Sequence, residues 1–287
     1  MEIQQSVLYT HYLKALHWNV DLVDNTYIFS KKIPFLGTIA KLQRSLLLPD
    51  VDTLAQFLKH HRVRSLSVEP DSSVDQKIFH LWLNKISHVV RINSSPFLPT
   101  KTIRVDLSGS EDEIFQRFSE AKRRAVRRAQ KNNLRINEST NIQDLIKIKN
   151  KSSGFLGFIT TTGIDKLWPI FAPDHAAILL AYKPHSTFSI QHSAFHIIGG
   201  VLLLFLDKVA YYWIAGSTKE GKKLFAPTLL VWEALKLSKK RGMKQFDFVG
   251  IWDQRMPKQF HEWKGFTKFK EGFGGKELYY PISSEKI

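Results

Sequence analysis

The sequence has no cysteine, and that absence removes disulfide frameworks, thiolate metal sites and cysteine nucleophiles together. Long apolar runs are missing too. The most hydrophobic stretch, 201–206, ends at Asp207 and Lys208, far short of the roughly 20 residues that span a bilayer. The N-terminus is polar, with Glu2, where an export signal needs a basic tip and an apolar run of roughly 7–15 residues. A soluble, cytosolic protein is the expectation. The patterns G-x-x-x-x-G-K-[ST], G-x-S-x-G and H-E-x-x-H do not occur, which leaves P-loop nucleotide hydrolysis, a serine-hydrolase elbow and a zincin centre without support. Acidic residues are scarce: 26 Asp and Glu face 42 Lys and Arg, for a formal net charge of +16 and a pI near 9.8. Such a field favours polyanions, and nucleic acid, anionic lipid and a nucleotide-linked substrate all qualify.

What is present suffices for a sizeable core: 287 residues, 43% hydrophobic and 12% aromatic, best divided into two subdomains at this length. Apolar runs at 27–29 and 39–42, punctuated by Pro34, Gly37 and Pro49, predict short strands. Asp52 is a candidate cap for a helix with Leu54, Phe57 and Leu58 on one face, followed by a strand at 64–68. A second helix after Asp71 carries Val74, Ile78, Leu81 and Trp82 and leads to a strand at 89–92. The segment 93–100, with Ser94, Ser95, Pro96 and Pro99, is the clearest break and puts a boundary at its end.

A fresh unit starts with a strand at 102–107. Ser110 and Glu113 then form a capping box for a helix running to about Asn132, and Asn141 opens another with Leu145, Ile148 and Lys149. Strand-like runs at 176–182, 188–195, 200–206 and 209–215 form an antiparallel meander by pattern. A helix at 226–241 follows, with Pro227 in its first turn and Gly242 as its stop, then a buried strand at 245–249. Strand, two helices, antiparallel strands, helix and strand is the order of an acetyltransferase-like fold, which by itself says little about chemistry.

Two segments carry candidate chemistry. Between Arg117 and Arg135 lie eight basic residues (Arg117, Lys122, Arg123, Arg124, Arg127, Arg128, Lys131 and Arg135) and one acid, Glu120. On one helix they would make a cationic face opposite Ile114, Phe118, Ala121, Ala125 and Ala129. A solvated face gains by mixing signs at i and i+4, so this excess favours an anionic partner. The stretch 258–276 interleaves lysines with Phe260, Trp263, Phe266, Phe269 and Phe273; that describes either stacking on bases or an amphipathic strand packed on a core, and spacing favours the strand. Gly272, Gly274 and Gly275 mark a turn needing positive φ or a close neighbour. His192 and His196 would share one face of a sheet without further ligands, so no metal is expected. The segment 221–227, where an acetyl-CoA enzyme needs glycine amides for pyrophosphate, has one glycine and Pro227, which argues against CoA.

K-R-R-A-V-R-R-A-Q-K at 122–131, F-D-F-V-G at 246–250 and F-K-E-G-F-G-G at 269–275 resemble signatures of the Fem family of peptidoglycan bridge-forming aminoacyltransferases, over roughly 102–280. Arg124 and Ala125 stand where that family has tyrosine and asparagine, Asn133 where it has glycine, and no coiled-coil arm is inserted. The resemblance implies an α/β (α+β) fold of two acetyltransferase-like subdomains, each a mixed, mostly antiparallel sheet flanked by helices: 1–102, 103–276, and a tail 277–287 returning to the first. It implies transfer of an amino acid from aminoacyl-tRNA, as co-substrate without other cofactor, to a lipid-linked or UDP-linked muropeptide, and the net charge of +16 adds the expectation of work at the inner membrane face. Lys270 falls on the family's Phe-Lys pair and is the expected oxyanion cation, with Phe269 shaping the tRNA end. Arg123, Arg127 and Arg128 are the expected phosphate contacts. Lys31 and Lys32, in a turn, are candidates for the precursor diphosphate, and Asp247 anchors its strand end or accepts a proton. The alternatives are an acyl-CoA-dependent N-acyltransferase of the same fold and a non-catalytic RNA-binding protein.

Overall fold

The computed structural model describes residues 1–153, 161–184 and 195–283. Helices α1 to α10 are Val7–Ala15, Val51–His60, Gln76–Ser87, Glu111–Gln116, Glu120–Lys131, Ile142–Ser153, Ile164–Phe171, Lys219–Lys223, Ala226–Lys240 and Lys264–Glu271. Strands β1 to β12 are Asn19–Val23, Thr26–Ile33, Gly37–Gln43, Val63–Glu69, Arg91–Ile92, Lys101–Asp106, Arg135–Ser139, Ala176–Pro184, Phe195–Leu206, Val209–Ser217, Gln245–Asp247 and Lys276–Tyr279. The chain divides into two compact units: Met1–Thr102 with Gly250–Thr267 and Glu277–Ile287, and Ile103–Val249 with Lys268–Lys276. Residues 250–267, expected in the second unit, thus pack with the first.

The first unit holds a five-stranded sheet in the order β1-β2-β3-β4-β5. β1, β2 and β3 form an antiparallel meander, whereas β3, β4 and β5 run parallel because α2 and α3 cross over between them. Ile28, Leu42, Leu66, Leu54, Phe79 and Ile86 fill its core. Asp50, two residues ahead of the expected Asp52, caps α2 by accepting from the amide of Thr53 at 2.9 Å. Asp75 caps α3 in the same way. The inward stripe of α3 is Phe79, Trp82, Leu83 and Ile86, spaced i, i+3, i+4 and i+7, so Trp82 is buried as expected while Ile78 and Leu81, also expected in the core, are exposed. α1 was not foreseen in the sequence pattern.

The seven-stranded sheet has the order β12-β6-β11-β10-β9-β8-β7. β8, β9 and β10 form the antiparallel meander that the runs at 176–182, 200–206 and 209–215 indicated, β7 adds an antiparallel edge strand that the pattern did not show, and β11 joins β10 in parallel after the α9 crossover. The expected strand at 188–195 lies mostly outside the described residues, as does His192. Among the described residues no His, Asp, Glu cluster fit for a metal is present.

The expected single helix from Ser110 to Asn132 is two helices. The capping box of Ser110 and Glu113 forms as read, but the chain breaks at Arg117–Ser119 so that Phe118 can enter the core against Phe115, Trp232 and Phe273. Ser119 then starts α5 afresh: its side chain accepts from Lys122 N and its own amide goes to Gly272 O. Val126 and Ala129 are the buried residues of α5, and Ala121 is exposed. The tail 258–276 is not a strand either. It forms a short 3-10 turn at His261–Trp263 and the helix α10, and Phe269 meets Phe273, two residues beyond the helix, edge-on with ring centroids 5.2 Å apart. Gly274 then turns the chain at φ +77°, where a side chain would collide with the Arg117 carbonyl.

Candidate active site

β11 follows β10 only at its beginning. Gln245, Phe246 and Asp247 pair with Val209, Ala210 and Tyr211, after which β10 continues to Ser217 and the other chain turns through Phe248 and Val249, the latter at φ +58°. The two strands therefore part at the end of their shared register. Phe248 lies at this split with its ring 5.7 Å from that of Tyr212, the first β10 residue beyond the parallel pairs. Its carbonyl accepts a 2.8 Å hydrogen bond from Lys270 Nζ, reaching in from α10. The sequence-predicted lysine thus sits where two parallel strands open, supported by a helix rather than a strand.

Lys270 is half-buried. Burial pushes its ammonium down to about 8, opposed by the Asp247 carboxylate and reinforced by the positive charge of Lys149 on α6. Lys149 is itself held low by burial and by Lys222. α6 comes close to β10 because Gly216 has no side chain: a Cβ there would lie 2.8 Å from Lys149 Cα. Asp247 is almost fully buried and ion-pairs with Arg104 on the neighbouring β6, Nε to Oδ2 2.7 Å, while Oδ1 accepts from Val249 N at 2.6 Å. Oδ1 thus ties the turn that presents Phe248, and Oδ2 ties the strand to β6.

Phe269 stands beside Lys270 and receives the Lys122 ammonium over its face at 3.8 Å, with Phe273 at 5.1 Å. Burial pushes Lys122 down to about 8. Sequence reasoning had counted Lys122 only as one charge in a basic run; the signal that marks it is its place three residues after the Ser119 cap, which turns it toward the aromatic pair rather than outward. Lys149 and Arg104 had no signal of their own in the sequence.

The three arginines of α5 separate. Arg127 and Arg128 are exposed, their guanidinium carbons 5.9 Å and 5.8 Å from the rings of Phe115 and Phe225. Arg123 folds back onto the carbonyls of Gln116 and Phe118 at 2.9 Å and 2.6 Å, closing the end of α4. Lys31 and Lys32 are on β2 and not in a turn; Lys31 donates to Leu16 O at 2.8 Å, and Lys32 is exposed.

In the segment that precedes α9, the amides are already used. Gly221 N donates to Thr218 Oγ1 at 3.0 Å, and the amides of Lys222, Leu224 and Phe225 donate to carbonyls within α8 and its turn. Pro227 offers none.

The FemAB family model matches residues 184–279, a span that includes β10, β11, the split and α10. The fold is similar to that of FemX, with a TM-score of 0.74 at 15% identity over 97% of this chain and 90% of that one. It is also similar to L-PGS from Bacillus licheniformis, TM-score 0.52 at 12% identity over 92% and 82%. A GCN5-related N-acetyltransferase from Kribbella flavida matches with TM-score 0.50 at 10% identity over 99% and 97%. No curated protein matches the sequence. The α/β class with two mixed sheets and the acetyltransferase-like fold stand as expected, and no helix among the described residues is long and apolar enough to cross a membrane.

Proposed function

With the Fem resemblance borne out over residues 184–279 and in the fold, we propose that this protein is an aminoacyltransferase that moves an amino acid from aminoacyl-tRNA to the stem-peptide amine of a peptidoglycan precursor. The observation that carries this reading is the half-buried ammonium of Lys270 at the opening between β10 and β11, 2.8 Å from the Phe248 carbonyl. The acceptor amine, neutral, attacks the ester carbonyl carbon of the aminoacyl end. A carbon–nitrogen bond forms, the ester carbon–oxygen bond breaks, and the ribose hydroxyl leaves with the proton lost by the amine. The ester is already activated, so the protein's work is to orient the pair and stabilise the oxyanion. Lys270 supplies that cation. Phe269 and the Lys122 ammonium beside it frame the aminoacyl end, and Arg127 and Arg128 contact tRNA phosphates. The net charge of +16 draws the protein to an anionic membrane face.

Against the competing acyl-CoA reading, the amides of Gly221, Lys222, Leu224 and Phe225, placed to hold a pyrophosphate, are engaged within α8 and its turn. A non-catalytic RNA-binding protein would have no use for a half-buried lysine at a strand split. The experiment is to incubate the purified protein with charged tRNA and lipid-linked or UDP-linked precursor, and separately with acetyl-CoA and amines. Transfer of a labelled amino acid to the precursor is expected. Acetylation with acetyl-CoA, or tRNA binding with no transfer to any precursor, overturns the proposal.

A further inference from the structure

The hairpin joining β2 and β3 ends in Phe35 and Leu36, whose side chains stand out from the protein at 105% and 65% exposure. Ile33 pairs with Gly37 at its base, and Phe35 holds φ +64°. Two large apolar side chains at one tip cost solvation unless something covers them. The sheet register shows what surrounds the tip. β4 runs parallel to β3 with Val63 opposite Thr38, and β5 runs parallel to β4 with Arg91 opposite Ser65, so Arg62, Arg64 and Arg91 stand at the same end of the sheet as the hairpin. Arg64 lies against its base, where a Cβ on Gly37 would meet the Arg64 side chain. Lys32 is on β2 three residues before Phe35, and all four basic residues are exposed. No Asp or Glu occurs in 27–49, 53–68 or 76–105, the segments that build this end.

We infer that the β2–β3 hairpin is a membrane anchor: Phe35 and Leu36 enter the apolar boundary of an anionic bilayer while Lys32, Arg62, Arg64 and Arg91 bind its headgroups. The dimensions agree. A strand advances about 3.3 Å per residue, which sets Lys32 roughly 10 Å behind the tip, and interfacial apolar groups sink about 5–10 Å below the headgroups. An apolar tip in a collar of one sign of charge fits a lipid surface. A nucleic acid would use the collar and leave Phe35 in water; a second copy of this chain would bring two like-charged collars together. The inference deepens the membrane-face part of the proposed function and does not depend on the transfer chemistry.

The absence of cysteine makes a clean probe available. Leu36→Cys and, as a control on the first turn of α3, Ile78→Cys are each labelled with an environment-sensitive fluorophore and mixed with phosphatidylglycerol vesicles containing brominated lipid. The Leu36 label is expected to shift to the blue and be quenched, the Ile78 label to stay unchanged. Flotation of the full chain with the same vesicles is expected to weaken by about 10- to 100-fold in F35S/L36S, with an unchanged melting temperature, and to lose most of its salt dependence in K32Q/R62Q/R64Q. Flotation of the parent with a silent Leu36 label refutes the anchor and leaves membrane association standing through another surface. No flotation with anionic vesicles removes both. A Leu36 label that responds to protein concentration without lipid assigns the tip to self-association, and one that responds to tRNA assigns it to nucleic acid; either overturns the proposal.

Discussion

The two units differ in the balance of buried charge they hold. In the first, buried ionic groups meet partners that fix them. Asp253 holds Arg255 at 2.7 Å and Thr100 at 2.7 Å, Glu69 accepts from Gln43 at 2.9 Å and from Leu98 N, and Lys101 meets Glu277 at 2.7 Å. Burial pulls Lys101 down, but the hydrogen bonds to Glu277 and Tyr279 more than offset it and its pKa is raised. In the second, Lys122, Lys149 and Lys270 are all lowered, with burial the first cause each time. A partnered charge locks a loop; a charge kept in low dielectric answers strongly to any new charge that forms beside it. The first unit therefore spends its buried ions on architecture, apart from Lys41, which burial lowers against the face of Trp18. The second fixes Asp247 with Arg104 in the same way and adds three lysines that burial holds low.

The comparison breaks most directly at Lys270. Lys270→Met keeps the stem's bulk and removes the charge, and single-turnover transfer is expected to fall by about 100- to 1,000-fold, or roughly 3–4 kcal/mol, with tRNA affinity little changed. The same variant tests the burial. The folded pKa of about 8 lies below the unfolded value of 10.5, so the folded state binds fewer protons between them. The destabilisation is full below pH 8 and relieved as pH rises to 10.5, on the order of 3 kcal/mol in total. Parental stability measured by denaturant should therefore rise relative to Lys270→Met across that window. A flat difference, or a parental turnover rate in the folded variant, would take Lys270 out of the mechanism.

A matched pair of substitutions sharpens the contrast between scaffold and site. Arg104→Met strands the Asp247 carboxylate in the second unit, and Arg255→Met strands that of Asp253 in the first. Each is expected to cost about 3 kcal/mol of stability, since a buried charge is left uncompensated. They should differ in turnover. Arg104→Met loosens the turn that carries Phe248 and should lower the transfer rate of the folded protein by at least about tenfold, whereas Arg255→Met should leave it within about twofold. Equal loss of turnover in both would show that the ion pair at the split has no special place.

The pH profile of transfer follows from the same cation. Lys270 acts protonated, so above pH 8 the rate should fall by about tenfold per unit as the ammonium titrates. Lys270→Arg, whose charge persists, should lose that alkaline limb even if its absolute rate is lower. An alkaline limb unchanged in Lys270→Arg would assign the titration to another group, and Lys122, also near 8, would be the one to replace next.

Much of the fold was legible in local pattern. The meander β8-β9-β10, the capping box at Ser110 and the helix starting with Pro227 follow from alternation, cap chemistry and fixed φ, and all are decided within a few residues. The failures are tertiary. The break before Ser119 exists because Phe118 is drawn into a cluster with Trp232 and Phe273, more than a hundred residues away in the chain. α10 looked like a strand because alternating Lys and Phe fit both periods over eight residues, and only the Phe269–Phe273 contact chooses the helix. At the site, Phe269, Lys270 and Asp247 were found through motif resemblance, while Arg104, Lys122 and Lys149 were hidden because pairing and dehydration are set by neighbours from β6, α5 and α6.

The smallest effect separates the arginines of α5 that the sequence had treated alike. Arg127 and Arg128 are exposed, and Arg123 is committed to the carbonyls of Gln116 and Phe118. If α5 contacts tRNA phosphate, R127Q/R128Q should reduce the slope of log affinity against log salt by about 1.4–1.8, one counterion's worth for each lost contact, without touching the melting temperature. Arg123→Gln should do the reverse. It removes charged hydrogen bonds that close α4, at a cost of about 1–2 kcal/mol in stability, and leaves the salt slope where it was. Binding isotherms at several salt concentrations, with thermal melts on the same preparations, read both quantities. A slope unchanged in R127Q/R128Q would move the tRNA contact off this helix, and a slope that drops in Arg123→Gln alone would mean that its guanidinium leaves the two carbonyls when RNA binds.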